Sequence, residues 1–270
     1  MAKVIDQHLG AIRGQVGDNV FKMYGNKSFV GRAYKKYKKT TSEMLIYNRK
    51  RFPVVSDFAS AINASATLKS LWKDSDEFKG KTPFHKTCFA NFNNSRSGFM
   101  STSALIIPSL SKIKDISLKL DESTFSAEFS FLNTDPASFP PPYLFFAIIQ
   151  LSHPSGNNKM KKTRFITIEE TVNSFSFSPK SKSIFSFSSP KDCFSIINYY
   201  DMIISYFAVI SKPDEGLMND YHSDGIIIKG NKIYERDTKK YLKIKDEFEN
   251  EKARKAEKDG DNSGFIIRIK

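Results

Sequence analysis

Two hydrophobic periods divide this chain. From residue 40 to about 94, apolar positions recur near the helical spacing: Met44, Leu45 and Tyr47, then Val55, Phe58, Ala59, Ile62, Ala66 and Leu68–Trp72. Thr40 followed by Glu43 has the form of a capping box, which places a helix start there. Pro53 is expected to end or kink that helix. A third helix after Pro83 would carry Phe84, Cys88 and Phe92 on one face.

Near residue 100 the period changes to two. Ile113–Leu120, Phe125–Phe131, Tyr143–Leu151, Arg164–Ile168 and Phe175–Phe177 alternate as strands, separated by turn-forming stretches at 133–142 and 153–158. Ser174–Ser189 alternates Phe and Ser, predicting a hairpin that turns at Pro179–Ser181 with one aromatic face. Cys193–Ile210 is apolar at both parities, which predicts a central strand pair or a single buried strand. Gly225–Tyr234 reads as a hairpin turning at Lys229–Lys232, Tyr241–Asp259 as a charged solvated helix or linker, and Gly264–Ile269 as a strand able to join a sheet edge in this or a neighbouring subunit.

The segment before residue 40 is different again. Glycines at 10, 14 and 17 precede two short strands, Val20–Tyr24 and Ser28–Arg32, around a Gly25-Asn26-Lys27 turn. The pattern therefore predicts an α+β protein: an N-terminal β-hairpin and helices followed by an antiparallel sandwich-like or barrel-like region. It divides into a basic hairpin and helical module (1–100), an antiparallel β-domain (101–215) and a C-terminal hairpin, charged helix or linker and terminal strand (216–270).

Composition sharpens this in two ways. The 24 Phe against a single Trp fit strands with an aromatic core, and they also fit the residue bias of an AT-rich genome. The net charge of +13 is uneven, because residues 1–70 hold thirteen Lys and Arg against four acids. Such a field attracts polyanions or acidic protein faces. Its densest part comprises Arg13, Arg32, Tyr34, Lys35, Lys36, Tyr37, Lys38 and Lys39, continued by Arg49, Lys50 and Arg51. Cations there can neutralise phosphates while the tyrosines stack or hydrogen-bond; a solvated face that docks on acidic protein is the other reading.

No catalytic or cofactor frame accompanies this. His8, His85, His153 and His222 stand outside any nucleophile elbow or zinc motif. The adjacent acids Asp121-Glu122 and Glu169-Glu170 would point to opposite sheet faces. The glycines at 10, 14 and 17 match neither the Walker nor the dinucleotide pattern. Cys88 and Cys193 have no metal or redox spacing and are expected as two buried thiols, a disulfide being the alternative in an oxidising compartment. Neither a signal peptide nor an apolar run approaching the ~20 residues of a membrane span is expected, so the location is virion or cytoplasm.

Residues 10–52 resemble an uncharacterised family found widely in Bacteroidota genomes and their mobile elements. The matching residues are Gly10, Gly14, Gly17, Asn19 and Val20, then Gly25-Asn26-Lys27, Arg32, and Asn48, Arg49 and Phe52. Asp18 interrupts the family's Gly-Asn pairing, and Lys38–Thr41 replaces its Asn-Pro-Arg stretch. The resemblance implies a helical module followed by Ig-like or similar β-structure, and no enzyme. The association with mobile elements makes a bacteriophage virion component the specific expectation: a non-enzymatic structural protein, oligomeric with other protein subunits and without cofactor. A stand-alone nucleic-acid-binding protein is the alternative.

Overall fold

The computed structural model describes residues 3–6, 11–16, 19–24, 27–32, 42–76, 78, 80–108, 114–120, 124–130, 141–156, 160–173, 175, 183–188, 196–211 and 220–262. The chain separates into two compact units, Met1–Thr41 and Ser42–Lys270. The change of period at residue 100 is thus a change of secondary structure inside the larger unit.

The first unit is an antiparallel meander of β1 (Lys3–Asp6), β2 (Ala11–Val16), β3 (Asn19–Tyr24) and β4 (Lys27–Arg32). The expected hairpin is β3 and β4, closed by the pair Tyr24–Lys27. The glycine-rich stretch before it adds two further strands. Ala11–Val16 alternates well enough for a strand, but Gly14 in its interior weakens the local signal.

The larger unit has three layers. Helix α1 (Glu43–Ala64) is followed by α2 (Ala66–Asp74) and α3 (Pro83–Asn91). Ser65 caps α2, accepting from the Leu68 amide, and Thr82 caps α3, accepting from the His85 amide, with Pro83 as its first residue. The middle layer is the sheet β11-β10-β7-β8, formed by β7 (Tyr143–Pro154), β8 (Thr163–Val172), β10 (Tyr200–Ser211) and β11 (Asp220–Lys229). The outer layer is β5-β6-β9, made of Lys114–Leu120, Thr124–Ser130 and Ser183–Ser188. In chain order, the first, second and fifth of these seven strands form one sheet and the other four form the second, an interleaving that binds both sheets into one body.

Strands β7 and β10 carry two cores. Leu144, Phe146 and Ile148 with Ile204, Tyr206 and Ala208 face Phe58, Ile62, Leu68 and Trp72 of the helices. The opposite parity, Phe145, Ala147 and Ile149 with Phe207 and Val209, faces Phe125, Phe129, Phe185 and Phe187 of the outer sheet. This is why both strands carry apolar residues at both parities, and why the run ending at Ile210 behaves as a central strand. Among the polar groups inside this sheet, the Gln150 Oε1 accepts from the Met100 amide at 3.0 Å and the Tyr206 hydroxyl at 3.2 Å. Trp72 Nε1 donates to the Ile106 carbonyl at 3.0 Å.

The expectation at Pro53 is narrowed, and the one at 225–234 is corrected. Helix α1 runs through Pro53 without ending there. Pro53 and Arg49, whose carbonyl loses its partner, are both on the exposed side, where water can satisfy that oxygen. The buried stripe Arg51, Val54, Val55, Phe58 and Ile62 holds the helix in place on either side. The hairpin expected at 225–234 is a strand-to-helix corner, because α4 begins at Asn231 and continues to Asn262. Gly230, at φ 91°, makes the corner, and a Cβ there would lie 2.7 Å from the Asp201 carbonyl oxygen.

On the aromatic Phe/Ser stretch, the second half is β9, with Phe185 and Phe187 buried and Ser186 exposed. Of its other half only Phe175 is described, and its turn and Gly264–Ile269 lie outside the described residues.

Candidate functional site

Of the basic residues singled out from sequence, Arg51 is buried rather than on a surface. Tyr34, Lys35, Lys36, Tyr37, Lys38 and Lys39 lie outside the described residues. Arg13 is in β2, and Arg32 is in β4 opposite Asn19. Arg49 and Lys50 are exposed on α1. Arg51 is not part of any exposed face: it is 1% exposed, and its stem and guanidinium are packed inside the helical layer.

The Arg51 cage is built from neutral groups. Nε donates to Ser95 Oγ at 3.1 Å, one terminal nitrogen donates to Asn48 Oδ1 at 2.9 Å, and the other donates to the Phe92 carbonyl. The guanidinium carbon lies 4.5 Å from the Phe92 ring centre, 4.9 Å from Tyr241 and 6.0 Å from Tyr47, within cation–π range. Burial pulls its pKa below the ordinary arginine value, and Tyr241 and Tyr47 partly offset that. Arg96 also lies over the Tyr241 ring, at 4.2 Å, and donates to the Asn93 and Ser95 carbonyls. The cage ties α1, the turn after α3 and α4 to one another.

Beside it a cleft of about 340 Å³ opens between α1 and α4, lined by Glu43, Tyr47, Lys50, Ser97, Asp237 and Lys240 with Ile46 and Ile244. Tyr47 is stacked on Tyr241 at 5.6 Å, and its hydroxyl accepts from the Ser97 amide at 3.2 Å. Burial raises the Tyr47 pKa, so the phenol stays protonated and neutral. Asp237 lies 3.6 Å from His153 Nε2 and 3.0 Å from Arg236 Nε. Two acids and two cations balance in this lining, so the cleft has no dominant charge. Among the described residues, no group of three or more His, Cys, Asp or Glu is placed to hold a metal ion, and no helix is long and apolar enough to cross a membrane.

Other residues weighed from sequence are placed as follows. His85 is exposed on α3, and His153 ends β7 at φ 57° over the Phe99 ring. Glu169 and Glu170 pair with Phe146 and Phe145, hence opposite faces, and Glu169 accepts from Thr67. On α3 the fully buried positions are Thr87 and Asn91, with Cys88 and Phe92 partly buried against the same core. Asn91 is fixed by the Leu105 backbone on both its amide atoms.

Cys88 is a free thiol, and burial pushes its pKa up to about 11. Cys193 lies outside the described residues. At pH 8 a thiol of that pKa holds about a hundredfold less thiolate than an ordinary cysteine. In a Cys193→Ser chain, Cys88 is therefore expected to alkylate about a hundredfold more slowly when folded than in urea. The rate is expected to rise about tenfold per pH unit up to pH 10. Equal rates folded and unfolded would contradict this environment.

The cleft itself was not found from sequence, because α4 was read as solvated only from Tyr241 onward. Its inward stripe, Tyr234, Tyr241 and Phe248 at steps of seven with Ile244 between, was the available signal.

No family model matches this chain, and no curated protein matches it. A solved hypothetical protein from Pyrococcus horikoshii OT3 is similar at 12% identity and a TM-score of 0.19, over 42% of this chain and 85% of that one.

Proposed function

We propose that this chain is a non-enzymatic structural component of a larger assembly, held there through its basic N-terminal unit. One observation carries the reading: the segregation of charge coincides with the division of the fold. Residues 1–41 hold nine Lys and Arg against two acids, whereas the rest of the chain holds 33 against 27. A small unit of net +7 joined to a nearly balanced body of 229 residues is an attachment device on a scaffold.

The body supports the scaffold half of this reading. Its two sheets share one aromatic core, and the central one is backed by helices whose own polar anchor, Arg51, is spent on internal bonds. The interleaved strand order is that of an Ig-like sandwich, a fold suited to presenting a surface. The specific assembly proposed is a bacteriophage virion, with other protein subunits as neighbours and polyanionic material or acidic faces meeting the basic unit.

Co-sedimentation tests this. Full-length chain is expected in the particle fraction of producing cells. A Lys35→Gln/Lys36→Gln/Lys38→Gln/Lys39→Gln chain is expected to shift largely to the soluble fraction while its unfolding transition stays unchanged. Unaltered particle association of that variant would remove the basic unit from the account.

A further inference from the structure

The cleft between α1 and α4 belongs wholly to the larger unit, and its lining follows the helical period. Glu43, Tyr47 and Lys50 recur every three or four residues on α1, and Asp237, Lys240 and Ile244 do the same on α4. The Tyr47–Tyr241 stack and the contact of Arg51 with Tyr241 tie the two helices together beside it. The buried Tyr47, with half-buried Ser97, Asp237 and Ile244, forms the floor; Glu43, Lys50 and Lys240 stand exposed at the rim.

The lining balances by count but not by pairing. Asp237 is already engaged by Arg236 and His153. Among the described residues, no ion pair or side-chain hydrogen bond holds Glu43, Lys50 or Lys240. Glu43 and Lys50 are about 10 Å apart along the helix axis, beyond the i,i+4 spacing at which a carboxylate and an ammonium pair. The unspent charge is therefore two ammonium groups and one carboxylate. They surround a volume of about 340 Å³, at the lower end of the range for small-molecule sites. On the floor, the Tyr47 oxygen takes the Ser97 amide and its own proton is left to donate.

A ligand that matches this set carries the reverse, two carboxylates and one ammonium. A polyanion would be drawn to the lysines and repelled by Glu43 and Asp237. A neutral amino acid leaves one lysine without a counter-charge, and a plain dicarboxylate leaves Glu43 without one.

We propose that this cleft binds a small acidic α-amino acid, with its carboxylates at Lys50 and Lys240, its ammonium at Glu43 and its carbon chain against Ile46 and Ile244. The site is independent of how the N-terminal unit attaches, and it gives the body a ligand of its own.

The test is isothermal titration of the full-length chain with L-glutamate at low salt. Glutarate and L-glutamine are the analogues, lacking the ammonium and one carboxylate respectively. Rim charges make weak contacts, so a dissociation constant of about 1 mM is expected for glutamate, with either analogue about fivefold weaker. Lys50→Gln and Lys240→Gln are each expected to weaken glutamate about fivefold, and Glu43→Gln to abolish its preference over glutarate. Arg49→Gln, exposed beside Lys50 but outside the lining, is expected to leave the affinity unchanged. All four side chains are exposed, so the urea midpoints are expected to stay at the unaltered value. Three results would each overturn the proposal: no saturable glutamate binding below about 20 mM, equal affinity for glutamate and glutarate, or equal losses from Arg49→Gln and Lys50→Gln. The last is a charge effect without a site.

Discussion

Replacing Arg51 by alanine is expected to destabilise the larger unit by about 3–5 kcal/mol, the largest effect among the described basic residues. The substitution removes a side chain that is 1% exposed and leaves Asn48 Oδ1 and Ser95 Oγ without its donors, while the Phe92 carbonyl keeps only the Ser95 hydroxyl and amide. It also empties the space between the Phe92 and Tyr241 rings. Lysine does not rescue the site, because one ammonium cannot reach three divergent acceptors in the plane that a guanidinium spans; a loss of about 2 kcal/mol is expected. Arg49→Ala and Lys50→Ala, two and one positions away but exposed, are expected to stay within about 0.5 kcal/mol. Urea unfolding of the four chains checks the series. If Arg51 belonged to a polyanion-binding surface, its removal would weaken binding and spare stability; the structure predicts the reverse.

The second large effect is in the other core. Phe145→Ala is expected to cost about 3–5 kcal/mol and to lower the melting temperature by about 10 °C. Phe145 is fully buried on β7, stacked on Phe185 at 3.9 Å and 8°, with Phe207 at 6.0 Å and Phe175 at 5.3 Å. It joins the central sheet to the outer one, so its loss weakens the interface that makes the sandwich a single body. Ile184→Ala is the contrast: it neighbours Phe185 in β9 but is 65% exposed, and a change within about 0.5 kcal/mol is expected. A reduced urea midpoint at unchanged slope is the signature of lost packing; a change of slope would mean that the two sheets unfold separately.

These two residues mark what the sequence makes legible. Phe145 was readable: alternation identified β7, and apolar residues at both parities of β7 and β10 required cover on both faces of that sheet. Arg51 was readable only through its phase. Three consecutive bases look solvated, yet Tyr47, Arg51, Val54, Val55 and Phe58 follow the helical period, and Arg49 and Lys50 do not. A charge inside an apolar stripe signals either a broken stripe or a caged ion, and only the three-dimensional placement of Ser95, Phe92 and Tyr241 decides which.

The corner at Gly230 failed for a related reason. Lys-Gly-Asn-Lys between Ile226–Ile228 and Ile233-Tyr234 fits a hairpin turn as well as a strand-to-helix junction. The choice is made by tertiary packing, with Ile233 and Tyr234 against the helical core and the Tyr234 ring 5.3 Å from Phe99. Likewise, the boundary at Thr41 rather than near residue 100 follows from a need that local patterns do not display. The central sheet exposes an apolar face that helices α1 and α2 must cover.

The central claim is attachment of a scaffold to an assembly, and quantitative mass spectrometry of purified particles from producing cells tests it most directly. The account predicts this chain in fixed stoichiometry with the other particle proteins across successive density-gradient fractions. Recovery of the chain only as a free monomer, absent from every particle fraction, would contradict it.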